Sequence, residues 1–323
     1  MATYRVSPSF GLFAFFALFA FAALVAIPVA CGAQAPTLPS AGAEEQAAVG
    51  TSTVMDGPWE FTLEGRLGSP TGRLKVGEFP TGVNKLTGGG TPGTLLRLHT
   101  LGVDTSEVIE GTAAFHFTPR DAIRASVLYD FLRGSTTIRG PSVVDNGAEF
   151  TAGSLDTNAD FYRLSLDYER TLFRRPSGEQ LVGSIGLTYV NFNPKLTGNI
   201  REGGPEANGG RSNSEDFYRQ ELPVPILGLQ WVYPFAERWT LRTSLSGGFL
   251  PRVDSLRTEG GTIYLEQRHA DLGLGVVYRV SRMAHIEAGY HFTYFFQEEK
   301  SHEDRNLFEL SDNGLYARFK VQF

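Results

Sequence analysis

Apolar and polar residues alternate one for one along segment after segment of this chain, and no other feature restricts its folding as much. The last nine residues, LYARFKVQF, put Leu315, Ala317, Phe319, Val321 and Phe323 on one face and Tyr316, Arg318, Lys320 and Gln322 on the other. Successive side chains of a strand point to opposite sides, so a period of two gives one greasy face and one wet face. Residues 58–67 repeat the rhythm, with Trp59, Phe61, Leu63 and Leu67 against Glu60, Thr62, Glu64 and Arg66. It returns at 109–117, 123–131, 162–168, 181–189, 227–233, 239–249, 272–278 and 286–294.

Counted back from Phe323, nine such segments reach residue 107. A closed membrane barrel of a single chain uses an even number of strands, so a tenth is expected, from 58–67 or from 95–103. The stretch 68–104, with its GlyGlyGly and ProGly, is the place where extra strands or a plug inside the barrel would form.

The connections also alternate. Those at 118–121, 174–180, 234–238 and 281–284 are short, whereas 135–158, 194–215, 251–262 and 299–308 read as longer polar loops. Phe173, Trp231, Tyr233, Phe235, Trp239, Tyr278 and Phe323 gather near the short turns, as in an aromatic girdle at a membrane interface. The greasy face carries many large residues, and the other mixes charges with Gly, Ser and Thr. A soluble β-sandwich or lipocalin-like barrel, with the greasy face inside, is the competing fold. Its strands usually run only ~5–6 residues. The expected fold is therefore all-β: a single antiparallel up-and-down transmembrane β-barrel of about ten strands, with a range of eight to twelve.

The N-terminus supplies an export route. Residues 1–35 read as a signal peptide: Arg5, an apolar run over 10–30, then small residues at Ala30, Gly32, Ala33 and Ala35. The run is longer than the ~7–15 residues of most signal cores, so an uncleaved anchor is the alternative. Val29-Ala30-Cys31 is similar to a lipoprotein cleavage box, but Pro28 stands where a bulky aliphatic residue is wanted. Residues 36–57, rich in Ala, Pro, Ser, Gly and Thr, read as a flexible periplasmic leader, and 58–323 as the barrel. Cys31 is the one cysteine, which suits an oxidising compartment. The net charge of -6 and the absence of a basic run argue against nucleic acid. Mean hydropathy is -0.14 and no later segment is apolar enough to span as a helix, so entry into a membrane requires a closed barrel.

The closing LYARFKVQF resembles the final strand of bacterial outer-membrane proteins, in which a terminal aromatic, here Phe323, serves as an assembly signal. Leu101-Gly102-Val103-Asp104, followed by Phe117-Thr118-Pro119-Arg120-Asp121-Ala122-Ile123-Arg124, resembles a broad group of small outer-membrane barrels. That resemblance implies a fold, a cell outer-membrane location with the long loops outside, and partners in lipid, lipopolysaccharide and the barrel-assembly machinery. It implies no reaction and no cofactor.

On the wet face, Glu60, Glu64, Arg66, Glu110, Arg124, Asp130, Arg163, Asp167, Arg242, Asp271, Arg279, Glu287, His291, Arg318 and Lys320 are expected to face the lumen. Nearly balanced charges in a narrow barrel would pair across strands, either plugging the interior or tuning a small water path. The expected role is structural, or a narrow passive channel for small solutes, with no catalysis. A rim enzyme is the alternative, of omptin-like protease or lipid-modifying hydrolase type. Omptins use an Asp-x-His pair; this chain has the reverse, His269-Ala270-Asp271, without a matching pair of aspartates. Ser126, His116 and His291 are inward, but nothing local joins them into a nucleophile and base. No His or Cys cluster has metal-ligand spacing. A third reading makes the barrel a scaffold that displays its loops for binding.

Overall fold

The computed structural model describes residues 57–77, 93–140, 142–145, 148–192, 194–200, 212–214, 218–219, 222–258, 262–301 and 305–323. The expected signal segment, and all of the leader but Gly57, lie outside them. Ten strands form the barrel: β1 (Trp59–Gly68), β2 (Ser106–His116), β3 (Asp121–Ile138), β4 (Phe161–Arg174), β5 (Gln180–Phe192), β6 (Val224–Ala236), β7 (Trp239–Thr258), β8 (Thr262–Arg279), β9 (Ala284–Lys300) and β10 (Arg305–Gln322). Each pairs antiparallel with the next, and β10 returns to β1 from Glu60↔Gln322 to Gly68↔Gly314. Closure leaves no unpaired edge, the condition for placing a sheet in lipid. The tenth strand is 58–67, not 95–103. The short turns carry their own hydrogen bonds: Thr118 Oγ1 donates to the Asp121 carboxylate (2.6 Å) and accepts from the Asp121 amide (2.9 Å).

The outward face is the greasy one. Leu315 is 70% exposed, Leu227 65% and Ile185 57%, in a belt that includes Val127, Leu166, Leu187, Leu245 and Leu274. So wide an apolar surface is unstable against water and matches a hydrocarbon layer. Trp59, Phe115, Trp231, Tyr233, Trp239 and Phe323 ring its short-turn edge. At the other edge Arg268 lies over the Phe249 and Phe296 rings (5.8 and 5.2 Å), and Arg133 over Phe131 (5.3 Å). Beyond that edge the outward residues become charged, as in the Arg73–Glu309 and Arg305–Glu298 pairs.

The long connections differ from a reading as polar loops. Strands β7 and β8 run to Thr258 and from Thr262, and β9 and β10 to Lys300 and from Arg305, so 251–262 and 299–308 are mostly paired strand. Inward Glu299, Asn306 and Phe308 are buried there, as is Leu265 opposite Val253, which rewards continued pairing although the outward residues are wet. Within 135–158, β3 continues to Ile138 and Val143–Asp145 pairs with Ala148–Asn158. Lys195–Ile200 adds to that sheet through Ala148–Asn158. Pro70 interrupts β1, and Thr71–Lys75 takes its place beside β10, with Ser311↔Thr71 following Gly68↔Gly314.

The stretch 93–105 turns into the barrel. Leu98–Leu101 forms one 3-10 turn, capped by Gly102 at φ 76°, and Leu98, Leu101 and Val103 are fully or almost fully buried. A Cβ on Gly102 would lie 2.3 Å from the Ser135 carbonyl oxygen, so this close approach to β3 needs glycine. The Leu101-Gly102-Val103 element thus seats a plug: two apolar anchors around the residue that lets the backbone pass. Around it pack inward residues of six barrel strands, among them Val108, Leu128, Leu132, Phe161, Val190, Phe192, Phe295, Phe308 and Leu310, with Phe150, Leu155 and Leu196 from the outer strands. Strands five places apart in a ring of ten lie on opposite walls. Phe192 on β5 stacks on Phe308 of β10 with centroids 3.8 Å apart, and Phe161 on β4 faces Phe295 of β9 at 6.3 Å. Apolar contact thus bridges the bore at this end between β4–β5 and β9–β10, and beside it inward Gln267 on β8 donates to Gln297 on β9 (2.9 Å).

Candidate functional site

Below the apolar cap, toward the short turns, lies a polar chamber of about 630 Å³. Its lining reaches the turn residues Thr118, Pro119, Arg120 and Arg174, which places its mouth at the short-turn end. Inward side chains of every strand supply its walls, because each strand alternates in register with its neighbours.

Charges in the walls are joined in three tiers. Nearest the mouth, Lys320 Nζ (2.7 Å) and Arg124 Nη2 (3.2 Å) hold Glu60, and Arg124 Nε also donates to Glu169 (2.7 Å). His116 Nε2 stands 3.7 Å from Glu60, outside hydrogen-bond range. In the middle, Glu64 is held by Arg66 and Arg318, and Arg66 also reaches Glu110. Arg242 and Arg318 converge on Glu287 (2.8 and 3.3 Å), which accepts a third hydrogen bond from the Tyr316 hydroxyl (2.6 Å). Deepest, Arg163 Nη1 and the Thr293 hydroxyl bond Asp271 (3.1 and 2.8 Å), and His291 Nε2 sits 3.0 Å from Arg66 Nη1 and 3.5 Å from Asp271.

Glu64 and Glu110 are direct cross-strand partners, a repulsive placement unless cations intervene. Arg66 does intervene, bridging both. Isolated charges here would cost several kcal/mol each to desolvate, so the tiers persist because each carboxylate has a guanidinium or ammonium.

All fifteen expected lumen residues point inward. Thirteen of them line the chamber or belong to its tiers. Asp130 instead lies against the floor of the apolar cap, on the wall near Asp312, which accepts from Ser106 Oγ (2.6 Å). Arg279 sits at the rim and donates to the Glu237 carbonyl oxygen (2.9 Å). Asp167 faces the chamber beside its cross-strand partner Arg124. Phe323 lies in the closing seam: its amide donates to Trp59 O (3.0 Å), and its ring stacks on Phe61 (5.7 Å).

The structure does not join His269 to Asp271. The His269 ring packs against Phe295 with centroids 4.8 Å apart, while Asp271 is taken by Arg163 and Thr293. Ser126 stands between Thr112 and Ser165 in its cross-strand row, with no histidine bonded to it among the described residues. Among the described residues, no group of three or more His, Cys, Asp or Glu is arranged to hold a metal.

Sequence reasoning placed a plug in 68–104 but missed the six strands' share of the apolar cap, and it missed the small side of the chamber. Gly273, Gly275 and Gly289 face inward on β8 and β9, and a Cβ on Gly275 would lie 2.1 Å from the Tyr316 hydroxyl. The tyrosine reaches Glu287 only because that glycine leaves room. Tyr316 stands in one cross-strand row with Gly289 on β9 and Gly275 on β8, and a large inward residue at the end of a row of glycines is the signal that was available.

No family model matches the sequence, and none of the curated proteins does. Among solved structures the chain is similar to the outer membrane protease OmpT from Escherichia coli, at 14% identity over 82% of this chain and 97% of that one, with a TM-score of 0.45. It is also similar to the translocator domain of the autotransporter NalP from Neisseria meningitidis (12% identity, 83% and 90% covered, TM-score 0.38). The Ralstonia pickettii toluene transporter TbuX is another (13% identity, 85% and 92% covered, TM-score 0.32). These are likenesses of barrel architecture. The assignment as an outer-membrane β-barrel stands on the closed strand pairing and the apolar belt.

Proposed function

We propose that this outer-membrane barrel spans the bilayer without conducting, has its short turns and chamber mouth in the periplasm and its long connections outside, and performs no catalysis. One observation carries the reading: Phe192–Phe308 and Phe161–Phe295 meet across the bore, so an apolar plug stands between the polar chamber and the far end. A passing ion would exchange water for an apolar plug, at a cost of several kcal/mol without a compensating partner. Ten strands are close to the ~8 that side chains fill and far from the ~16 of open porins. The contrast of short turns with long connections supports the orientation. A narrow passive channel is the second reading, and it requires the cap to part.

The test uses cysteine labelling in a Cys31→Ser background. A cysteine replacing Ser244, on the chamber wall, is expected to react with a membrane-impermeant maleimide in cells whose outer membrane has been permeabilised, and to stay unlabelled in intact cells. Equal labelling in intact cells would overturn the reading.

A further inference from the structure

One wall of the chamber has more binding capacity than its own residues use. His285 is 7% exposed, lines the chamber and has no hydrogen-bond partner for Nε2. Its cross-strand partners are Arg279 and Lys320, so the three inward side chains form one row near the mouth. Arg242 is also within electrostatic reach of His285, and its Nε makes no hydrogen bond. Arg279 has no carboxylate partner among the described residues; it meets only a backbone carbonyl.

Glu60 is the acidic group nearest in effect to His285, and Lys320 and Arg124 already hold it, as Arg242 and Arg318 hold Glu287 two residues along the strand. The deeper carboxylates are bonded in their tiers, so the unmatched positive charge sits at this rim.

The same row continues past Lys320 as a line of hydroxyls. Thr62 is the partner of Lys320 and of Thr112, Thr112 of Ser126, and Ser126 of Ser165. Ser165 is spoken for by Thr188 (3.0 Å), but Thr62, Thr112 and Ser126 hydrogen-bond no other side chain among the described residues. Adjacent strands are ~4.8 Å apart, so these hydroxyls are spaced to meet several polar groups of one small molecule. An anion-attracting rim followed by idle hydroxyls, in a cavity within the ~300–1,000 Å³ of small-molecule sites, describes a ligand with one acidic group and a polyhydroxyl body.

We propose that the chamber binds a small hydroxyl-rich anion of sugar-phosphate or sugar-acid size. Its acidic group lies at Arg279, His285 and Arg242, and its hydroxyls lie along Thr62, Thr112 and Ser126. The side of access rests on the orientation proposed above; binding itself does not.

Calorimetric titration of the folded barrel in detergent, with glucose 6-phosphate, gluconate, glucose and inorganic phosphate as probes, tests this. Saturable binding of glucose 6-phosphate or gluconate, at least about tenfold tighter than of glucose or inorganic phosphate, is expected from additive contacts by the two halves. Which of the two acids binds tells phosphate from carboxylate. His285→Phe and Thr112→Val should each weaken that binding by about fivefold, one hydrogen bond's worth. Thr112→Val keeps the shape of the wall and serves if the histidine variant fails to fold. No saturable heat from either acid with a folded barrel would overturn the proposal, as would equal affinity for glucose and its phosphate. Neither result touches the labelling experiment, which tests sidedness and the closed bore.

Discussion

Glu287 accepts hydrogen bonds from Tyr316, Arg242 and Arg318 while 3% exposed, so removing its charge strands the Arg242 guanidinium in a half-dry interior, whereas Arg318 keeps Glu64. Glu287→Gln should cost about 3–5 kcal/mol of stability, the range for breaking a buried pair. Arg73→Gln, at the exposed Arg73–Glu309 pair, should cost less than about 1 kcal/mol. Urea unfolding of the two variants in detergent checks the contrast; similar losses would mean that the tier carries no special weight. Gly275→Leu should push Tyr316 off Glu287 and lower stability comparably, since the added carbons meet the phenol first. At this scale the sequence shows which way a side chain points and little more. Alternation placed Arg242, Glu287 and Arg318 inward, because a period of two leaves no choice of face. It could not say that Asp271 would take Arg163 from β4 in preference to His269 two residues away, since partners across the bore depend on strand tilt and stagger.

The strands themselves were legible where one face is greasy and the other wet, and less so where both faces become apolar. Val127-Leu128-Tyr129, Phe295-Phe296 and Leu307-Phe308 break the alternation because their inward members build the cap. Consecutive apolar pairs at corresponding heights on several strands were the available sign of a plug. Loops 251–262 and 299–308 misled for the opposite reason: charged outward residues look like loop when the strand simply leaves the membrane. In the outer sheet, burial pushes the Asp145 carboxyl up to about 7. Its folded form therefore keeps a proton that the unfolded chain releases near pH 4. The packing of Val143–Asp145 on Ala148–Asn158 should weaken as pH rises from about 4 to 7 and level off above that. Asp145→Asn should remove this component, read as the difference between wild-type and variant amide protection in those strands across that range. Parallel profiles for the two proteins would refute the assignment.

Across the whole molecule, the barrel depends on its last strand meeting its first. Trp59 and Phe323 exchange backbone hydrogen bonds of 3.1 and 3.0 Å at the seam, and Phe323 stacks on Phe61. Phe323→Ala should lower the fraction of heat-modifiable, membrane-inserted protein severalfold, and normal insertion would count against a role for the terminal aromatic. Nine strands followed from the alternating segments and the tenth from the even count of such barrels, and 68–104 stood out as the place for a plug; closure of the bore by six strands around that plug did not, because their inward apolar residues break the period. That closure is the central claim, and planar-bilayer recording tests it most directly. Wild-type barrel should give no discrete steps, whereas Phe192→Ala combined with Phe308→Ala, which removes the 3.8 Å contact across the bore, should conduct. Reproducible wild-type steps of the same size as the variant's would contradict the account.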